Sequence, residues 1–588
     1  MYSSIETVNI LTALLLKHGV RHAVVSPGSR NAPICHNLKE TGKIKCYPVT
    51  DERSAGFFAI GVSQATGLSP VVVCVTSGSA ILDVAPAVAE AYYQQIPIIV
   101  IAADRPAAWI GQLDGQTMPQ PDAFGKMVRR SVSLPAGNTD EEIWHANRLI
   151  NEALMDAVGP ACGPVLINVP LSEPLYEFST PELPEVRVCK RIESEGRDVA
   201  KSVASRLNKA RRPMVIFGQT LDYASAQAFE DRHSKQFPIL GEALSGVCGL
   251  LDPTVHVLRN ARKVDIDDFR PDLIIYAGGT LVSKETKQFL RSCADAETIL
   301  ISPDGELHDV FQNTTLVARC TLKAFVEETA DIEGINVETD YQEGWDALLC
   351  KIDGLLSPHP EEPRIDDYLP QNFSQLAVFS AFTDFLSNSQ IANSSAIRIA
   401  DALLWNVALR SVNTLSGVSK RKFGIVYCNR GINGIDGCLS TAAGFSAADK
   451  TGEPKLCVIG DLSFFYDQNA LWNTNIDGRL RILLINNGGG GIFNRFKGLK
   501  GSKAKDDIVM AKHHATARGI CEENDVEYRS ASDFDELSSG RYWLTQELAN
   551  TKRPRLLEVF TDMDEDAAAL NKYYDNLVTY YDRYNDKY

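Results

Sequence analysis

No stretch of this 588-residue chain is apolar over the roughly 18–20 residues that a membrane-crossing helix needs. The longest apolar runs, near 71–76 and 96–103, are strand length and end in polar residues. Met1 to Lys17 carries Glu6 and lacks a basic region and a cleavage site. No signal peptide is therefore expected, and the cytoplasm is the expected compartment. The thirteen cysteines include no C-x-x-C pair. That argues against a zinc ribbon, and the odd count argues against a closed disulfide framework. Cys74 and Cys457 lie inside apolar strand candidates and are expected to be inert. Cations are outnumbered, 59 Lys and Arg against 75 Asp and Glu, a net charge of −16. This opposes non-specific binding to nucleic acid. Neither a G-x-S-x-G elbow nor a G-x-G-x-x-G after a strand occurs, which weakens hydrolase and dinucleotide readings. His513-His514 is an isolated pair, expected to be exposed rather than metal-bound.

What is present is the composition of a soluble enzyme, 44% hydrophobic and 23% charged. At about 100–200 residues per domain the length asks for two to four domains. Three blocks alternate short apolar strands with helical patterns, which predicts three consecutive α/β domains with mostly parallel sheets. The first spans 1–185, with strands expected at 22–26, 44–49, 71–76, 97–102 and 165–168 and helices at 53–65 and 80–93. A charged linker, Glu182 to Arg197, follows. The second spans 196–356, with strands near 214–217, 272–277 and 298–302. The segment Ser357 to Pro370, rich in proline and acid, marks the next boundary. The third spans 371–588, with strands near 424–428, 455–459, 481–485 and 555–560. Lys497, Lys500, Lys503 and Lys505 form a basic, glycine-containing stretch that reads as a solvated loop or as a lid over an anionic site.

The strongest signal is KLCVIGDLSFFYDQNALWNTNIDGRLRILLINN, Lys455 to Asn487. A buried strand ends at Gly460-Asp461, a helix over 463–474 follows, and a second strand ends at Asn486-Asn487. In a parallel β-α-β unit both strand ends open on the carboxyl edge of the sheet, where ligands bind. Asp461 and Asn487 then point oxygens at one hard cation. Magnesium takes about six oxygens and commonly shares them with phosphate. A backbone carbonyl from the Gly488–Gly491 loop adds a third ligand, and the glycines let backbone approach closely. An ordinary crossover with polar strand ends is the plainer alternative.

In the first block, KIKCYPV leads into Thr50-Asp51-Glu52-Arg53 and the helical SAGFFAIGVSQATG. Glu52 at this strand-to-helix junction is fixed in place and open to desolvation, which would raise its pKa. It also reads as a carboxylate offsetting a helix dipole, with Asp51 as the cap. Gly78-Ser79 forms a second strand-to-helix turn, suited to a ligand contact or a helix cap.

The Lys455–Asn487 segment resembles the thiamine diphosphate signature, which opens Gly-Asp-Gly and closes Asn-Asn. Leu462 stands here in place of the third residue, glycine. Glu52 in one block and Asp461 with Asn487 in another is the layout of thiamine diphosphate enzymes such as acetohydroxyacid synthase and pyruvate decarboxylase. Their order is a pyrimidine-binding, a middle and a diphosphate-binding domain. VVSPGSRNAPI (24–34), ADRP (103–106), NRGINGIDG (429–437) and NNGGGGIF (486–493) further resemble the 2-succinyl-5-enolpyruvyl-6-hydroxy-3-cyclohexene-1-carboxylate synthases of menaquinone biosynthesis.

That resemblance spans nearly the whole chain and implies a reaction. 2-Oxoglutarate loses carbon dioxide, and its four-carbon remainder adds to isochorismate. It implies thiamine diphosphate with magnesium, or manganese in its place, and a homodimer or homotetramer, with no nucleic-acid or membrane partner. Glu52 becomes the catalytic carboxylate on the pyrimidine ring. The implied cofactor contacts are Glu52, Gly78, Ser79, Ile435, Gly460, Asp461, Leu462, Ser463, Asn487, Gly489, Ile492 and Phe493. Asp461, Asn487 and Gly489 hold the metal. Ile435 is the apolar wedge under the cofactor, and Ile492 and Phe493 are pocket walls. Both substrates are dianions, so cations are needed, and arginine grips carboxylates bidentately. Ser29, Arg30, Arg105 and Gln116 fall on the isochorismate side, with Lys284 as a middle-domain contribution. Ser394, Arg398 and Arg430 fall near the succinyl carboxylate. Gly115 stands where that family often has asparagine. Two rival readings are a pyruvate-using carboligase, which the arginine set disfavours, and a binding protein without turnover, which retention of Glu52, Asp461 and Asn487 disfavours.

Overall fold

The computed structural model describes residues 1–191, 198–247, 251–330, 337–356, 372–403, 425–499, 501–546 and 552–584. Lys500, the Ser357–Pro370 boundary and the end of the first linker lie outside these residues. The runs VVVCV and IIVIAAD are buried at every position. Continuous apolar, β-branched runs suit strands covered on both faces, which is where parallel sheets form. Three such sheets follow one another along the chain.

The first contains β1 (His22–Val25), β2 (Lys45–Pro48), β3 (Val71–Val75), β4 (Ile98–Asp104), β5 (Arg130–Ser133) and β6 (Val165–Pro170), in the order β2-β1-β3-β4-β6-β5. The second contains β7 (Pro213–Phe217), β8 (Ile239–Gly241), β9 (Leu273–Ala277), β10 (Glu297–Ile301) and β11 (Thr314–Ala318), in the order β11-β10-β9-β7-β8. The third contains β12 (Ser389–Ile391), β13 (Val426–Tyr427), β14 (Lys455–Gly460), β15 (Leu480–Asn486), β16 (Glu527–Ala531) and β17 (Arg555–Phe560), in the order β13-β12-β14-β15-β17-β16. Every pairing between these strands is parallel.

Strand order reverses between β1 and β3, between β7 and β9, and between β12 and β14. Open α/β sheets bind ligands at such points, beyond the carboxyl ends of the strands. The residues that leave these ends are Pro27–Arg30 and Ser77–Ser79 in the first sheet, Gly278–Lys284 in the second, and Asn393–Arg398 and Asp461 in the third. Topology alone thus delivers Ser29, Arg30, Gly78, Ser79, Lys284, Ser394, Arg398 and Asp461 to crevice mouths.

The first and third sheets are joined by helix Glu52–Ala65 packing on helix Cys438–Ala448. The backbones approach so closely that a Cβ on Gly61 would strike the Thr441 carbonyl, and one on Gly444 the Phe58 carbonyl. The central sheet instead shares its core with the third, through residues such as Leu281, Phe289, Ile397 and Leu403.

The structure corrects several local expectations. β5, β8, β11, β12 and β16 were not anticipated, all being edge strands or only three residues long. The helix expected over 463–474 runs only Asp461–Tyr466, followed by a 3-10 turn over Gln468–Leu471. Its continuation is broken because the buried Asp467 carboxylate accepts from the Ser440 amide and hydroxyl, both at 2.7 Å. The helix expected over 80–93 is two, Ala80–Asp83 and Ala85–Gln94, divided ahead of Pro86.

Candidate active site

Asp461 is the first residue of its helix and its side chain is buried. One carboxylate oxygen accepts from the Leu462 amide (2.6 Å), the other from the amides of Asn487 (3.1 Å) and Gly489 (2.9 Å). The two strand ends anticipated from sequence are therefore joined directly. Gly489 has a φ of +148°, and a Cβ there would fall 2.7 Å from the Met510 carbonyl, so only glycine fits. Asn487 is held from behind, its Nδ2 donating to Asp566 (3.0 Å). That fixes its amide with the oxygen as the remaining polar atom. Burial pushes the Asp461 carboxyl up, and its amide donors and His513 act against this.

Among the described residues no three His, Cys, Asp or Glu side chains gather in a metal-holding group. A carboxylate and an amide oxygen beside a glycine loop fit instead a hard cation that takes its other ligands from diphosphate and water. Ser463 and Ile435 are also brought here, the Ser463 hydroxyl donating to the Ile435 carbonyl (2.7 Å). Ile492 and Phe493 follow the glycine loop in a 3-10 turn.

His513 corrects the sequence reading. His514 is exposed, but His513 is half-buried with Nε2 3.5 Å from Asp461 Oδ2. It is drawn in by its own backbone, whose amide donates to the Gly488 carbonyl (3.0 Å), while Met510 accepts from the Gly490 amide (2.6 Å). The segment after the basic stretch therefore lies on the glycine loop. Of that stretch, Lys503 is exposed and Lys505 is half-buried.

Glu52 opens its helix, and Asp51 is the cap, accepting from the Ser54 amide (2.9 Å). The Glu52 side chain is thereby released from capping. Burial raises its pKa, its own backbone amide lowers it, and Asp83 and Asp51 raise it further. Gly78 donates its amide to Gln120 (2.9 Å), and Ser79 is exposed without a side-chain cap bond.

The cations form two groups. Arg30 is buried and donates to the Leu171 carbonyl (3.0 Å) and to Glu173 (3.4 Å). Burial, then Arg105, lowers its pKa. Arg105 holds the Gly115 carbonyl (3.0 Å) and Asp114 (3.1 Å). Ser29 and Gln116 are exposed, the latter with a φ of +56°. In the second group, Arg398 lies on helix Ser395–Leu403 and donates to the Ser394 carbonyl (2.6 Å). Arg430 is buried, reaching Asn393 and the central-domain Leu281 carbonyl, both at 3.4 Å. Lys284 is exposed at the start of helix Lys284–Ser292. Lys287, one turn on and not singled out from sequence, is half-buried with Nζ 3.1 Å from the same Leu281 carbonyl. Glu242, Asp401 and Asp566 were also missed: each is a buried or nearly buried carboxylate whose neighbours come from distant sequence.

Three parallel α/β domains, a buried Asp461 bonded to the Asn487 amide beyond one sheet and a part-buried Glu52 after the edge strand β2 of another define a thiamine diphosphate enzyme. The family model described as the thiamine pyrophosphate enzyme N-terminal TPP binding domain matches residues 5–125. The crystal structure of benzoylformate decarboxylase from Polynucleobacter necessarius is similar in fold, with a TM-score of 0.67 over 96% of this chain and 99% of that one, at 15% identity. The 2-succinyl-5-enolpyruvyl-6-hydroxy-3-cyclohexene-1-carboxylate synthases of Phocaeicola vulgatus and Bacteroides fragilis are each 41% identical, over 98% of this chain and 99% and 100% of theirs. That of Desulfotalea psychrophila is 35% identical over 93% of this chain and 96% of its own. This chain belongs to the 2-succinyl-5-enolpyruvyl-6-hydroxy-3-cyclohexene-1-carboxylate synthase family.

Proposed function

We propose that this chain decarboxylates 2-oxoglutarate and joins the resulting succinic semialdehyde unit to isochorismate, in menaquinone biosynthesis, at a site built from the residues above. Thiamine diphosphate, when bound, supplies the carbon nucleophile and the electron sink that decarboxylation needs. Asp461, the Asn487 side-chain oxygen and the Gly489 carbonyl would hold the magnesium, which would supply charge neutralisation for a diphosphate. Glu52 accepts and returns a proton at the pyrimidine ring, a task suited to a carboxylate whose pKa is raised by burial. Gly78, Ser79, Gly460, Leu462, Ser463, Ile435, Ile492 and Phe493 shape the cofactor's bed.

Arg398, Arg430 and Ser394 receive the carboxylate of 2-oxoglutarate. Ser29, Arg30, Arg105 and Gln116 receive isochorismate, and Lys284 is the central domain's contribution. The observation that carries the reading is the Asp461 carboxylate, buried yet fastened to the amides that follow β15. The enzyme works as a homodimer or larger, in the cytoplasm. Carbon dioxide release from 2-oxoglutarate is the deciding assay. It should require magnesium and thiamine diphosphate and yield the coupled product only with isochorismate. Preference for pyruvate would sink the substrate assignment.

A further inference from the structure

We propose that Glu242 is a positioning residue: it fixes the central-domain turn 280–283, on which Arg430 of the 2-oxoglutarate pocket rests. The proposal builds on the assignment of Arg430 to that pocket, and it gives the central domain a part in the chemistry.

Glu242 follows β8 at the carboxyl edge of the central sheet and is buried. Its two carboxylate oxygens accept from consecutive amides, those of Val282 and Ser283 (the latter at 2.8 Å). Two adjacent N–H groups held by one carboxylate leave the turn little rotational freedom. What the turn presents outward is then set. The Thr280 hydroxyl donates to the Arg430 carbonyl (2.9 Å), and the Leu281 carbonyl accepts from the Arg430 guanidinium (3.4 Å) and from Lys287 (3.1 Å). Ser283 in turn caps the helix that begins at Lys284, accepting from the Thr286 amide (3.2 Å).

The second cation of the pocket refers to the same point. Asp401 lies one turn after Arg398 on helix Ser395–Leu403, and its Oδ1 accepts from the amide of Ala243, the residue after Glu242 (2.8 Å). The helix of Arg398 and the loop of Arg430 are thus both registered on residues 242–243. Backbone crosses the switch point beside this turn at close range. Gly279 donates to the Gln219 carbonyl (2.6 Å), and a Cβ on Gly218 would strike the Gly279 carbonyl. The switch point of the central sheet is therefore filled by its own backbone and faces the third domain.

An apolar residue here would leave the Val282 and Ser283 amides without an acceptor, so the turn is fastened at the cost of burying a carboxylate. Burial pushes the Glu242 carboxyl up to about 7, against the pull of the two amides, with Asp252 raising it further and Lys287 opposing.

The test is steady-state kinetics on the full-length holoenzyme with magnesium and saturating isochorismate. Glu242→Gln sets an amide NH2 against a backbone N–H, so one of the two bonds is lost. The apparent KM for 2-oxoglutarate is expected to rise about tenfold or more, as for one hydrogen bond to a charged group. The KM for isochorismate, thiamine diphosphate binding and kcat should stay within about threefold, a difference of roughly 0.65 kcal/mol. Thr280→Val, at an exposed position, should raise the KM for 2-oxoglutarate more modestly. An unchanged KM for 2-oxoglutarate in folded Glu242→Gln protein overturns the proposal, as does an equal rise for both substrates with a lowered melting temperature. Should Glu242→Gln not fold, an unchanged KM in Thr280→Val overturns it instead. Arg430→Ala run beside them separates the layers. A rise in that variant alone leaves the pocket standing and removes Glu242. No rise in either removes both.

Discussion

Arg53 donates to the carbonyl of Tyr466 (2.8 Å), which ties the helix beginning at Glu52 to the far end of the helix beginning at Asp461. Asn469 reinforces the tie by donating to Asp51 (2.7 Å), and Arg53 lies 4.0 Å from the buried Asp467 carboxylate. The residues on either side of Glu52 thus engage the third domain of their own chain at Tyr466–Asn469, beyond the Asp461 end. Those contacts use the Asp51 and Arg53 side chains and leave that of Glu52 out.

Glu52→Gln keeps shape but cannot take up a proton. Turnover is expected to fall by about two orders of magnitude or more, while thiamine diphosphate binding, followed by calorimetry, survives. Near-normal turnover would remove Glu52 from the mechanism.

Asp461→Ala leaves the Asn487 and Gly489 amides without their acceptor and the metal without a carboxylate. Losing one member of a buried, hydrogen-bonded charge pair costs on the order of 2–5 kcal/mol. Magnesium-dependent retention of thiamine diphosphate should weaken accordingly in calorimetry. Retention that survives both the substitution and exhaustive chelation would mean that the metal site lies elsewhere.

Arg398→Ala and Arg30→Ala should act on different substrates. The first raises the KM for 2-oxoglutarate and the second that for isochorismate, each by the equivalent of roughly 2–5 kcal/mol. If both variants change the same KM, the division between the two crevices is wrong.

Asp467 offers a stability test by pH. Burial pushes its carboxyl up to about 7, far above the ordinary value of about 3.9. A raised folded-state pKa means that the protonated carboxyl favours folding. That contribution is complete below about pH 4 and is lost as pH rises through about 7. Asp467→Asn is uncharged throughout. Its melting temperature relative to wild type should therefore increase between about pH 5 and pH 8. A constant difference across that range would show that the ionised carboxylate is fully compensated in the fold.

Much of this was legible in the sequence because it depends on local pattern. The apolar strands and the polar residues at their carboxyl ends place Asp461, Asn487 and Arg30 at crevice mouths, whereas Ser394 follows β12, whose Ser-Gln-Ile carries no apolar run. Edge strands such as Arg130–Ser133 were not legible, because half-exposed RSVS carries no apolar run. The early end of the Asp461 helix depends on Ser440, and the inward turn of His513 depends on a bond to Gly488. Glu242 sits in an unremarkable GEAL whose meaning comes only from the turn forty residues later. In each case a partner distant in sequence decides the outcome over local propensity.

The last prediction concerns how many chains build one site. Glu52 and Asp461 are proposed to touch opposite ends of one cofactor. Within a chain, the neighbours of Glu52 are fastened at Tyr466 and Asn469 rather than at Asp461. We expect each site to pair Glu52 of one chain with Asp461 of another, two such sites being related by a two-fold axis. Glu52→Gln and Asp461→Ala proteins, each inactive, are co-expressed with different affinity tags, and the mixed dimer is isolated. In it one site carries both defects and the other carries none. Random pairing makes about half of the dimers mixed, so roughly a quarter of wild-type activity should return before purification, and about half in the purified mixed dimer. If each site were built within one chain, every site would keep one defect. A verified mixed dimer without activity would then establish the single-chain site.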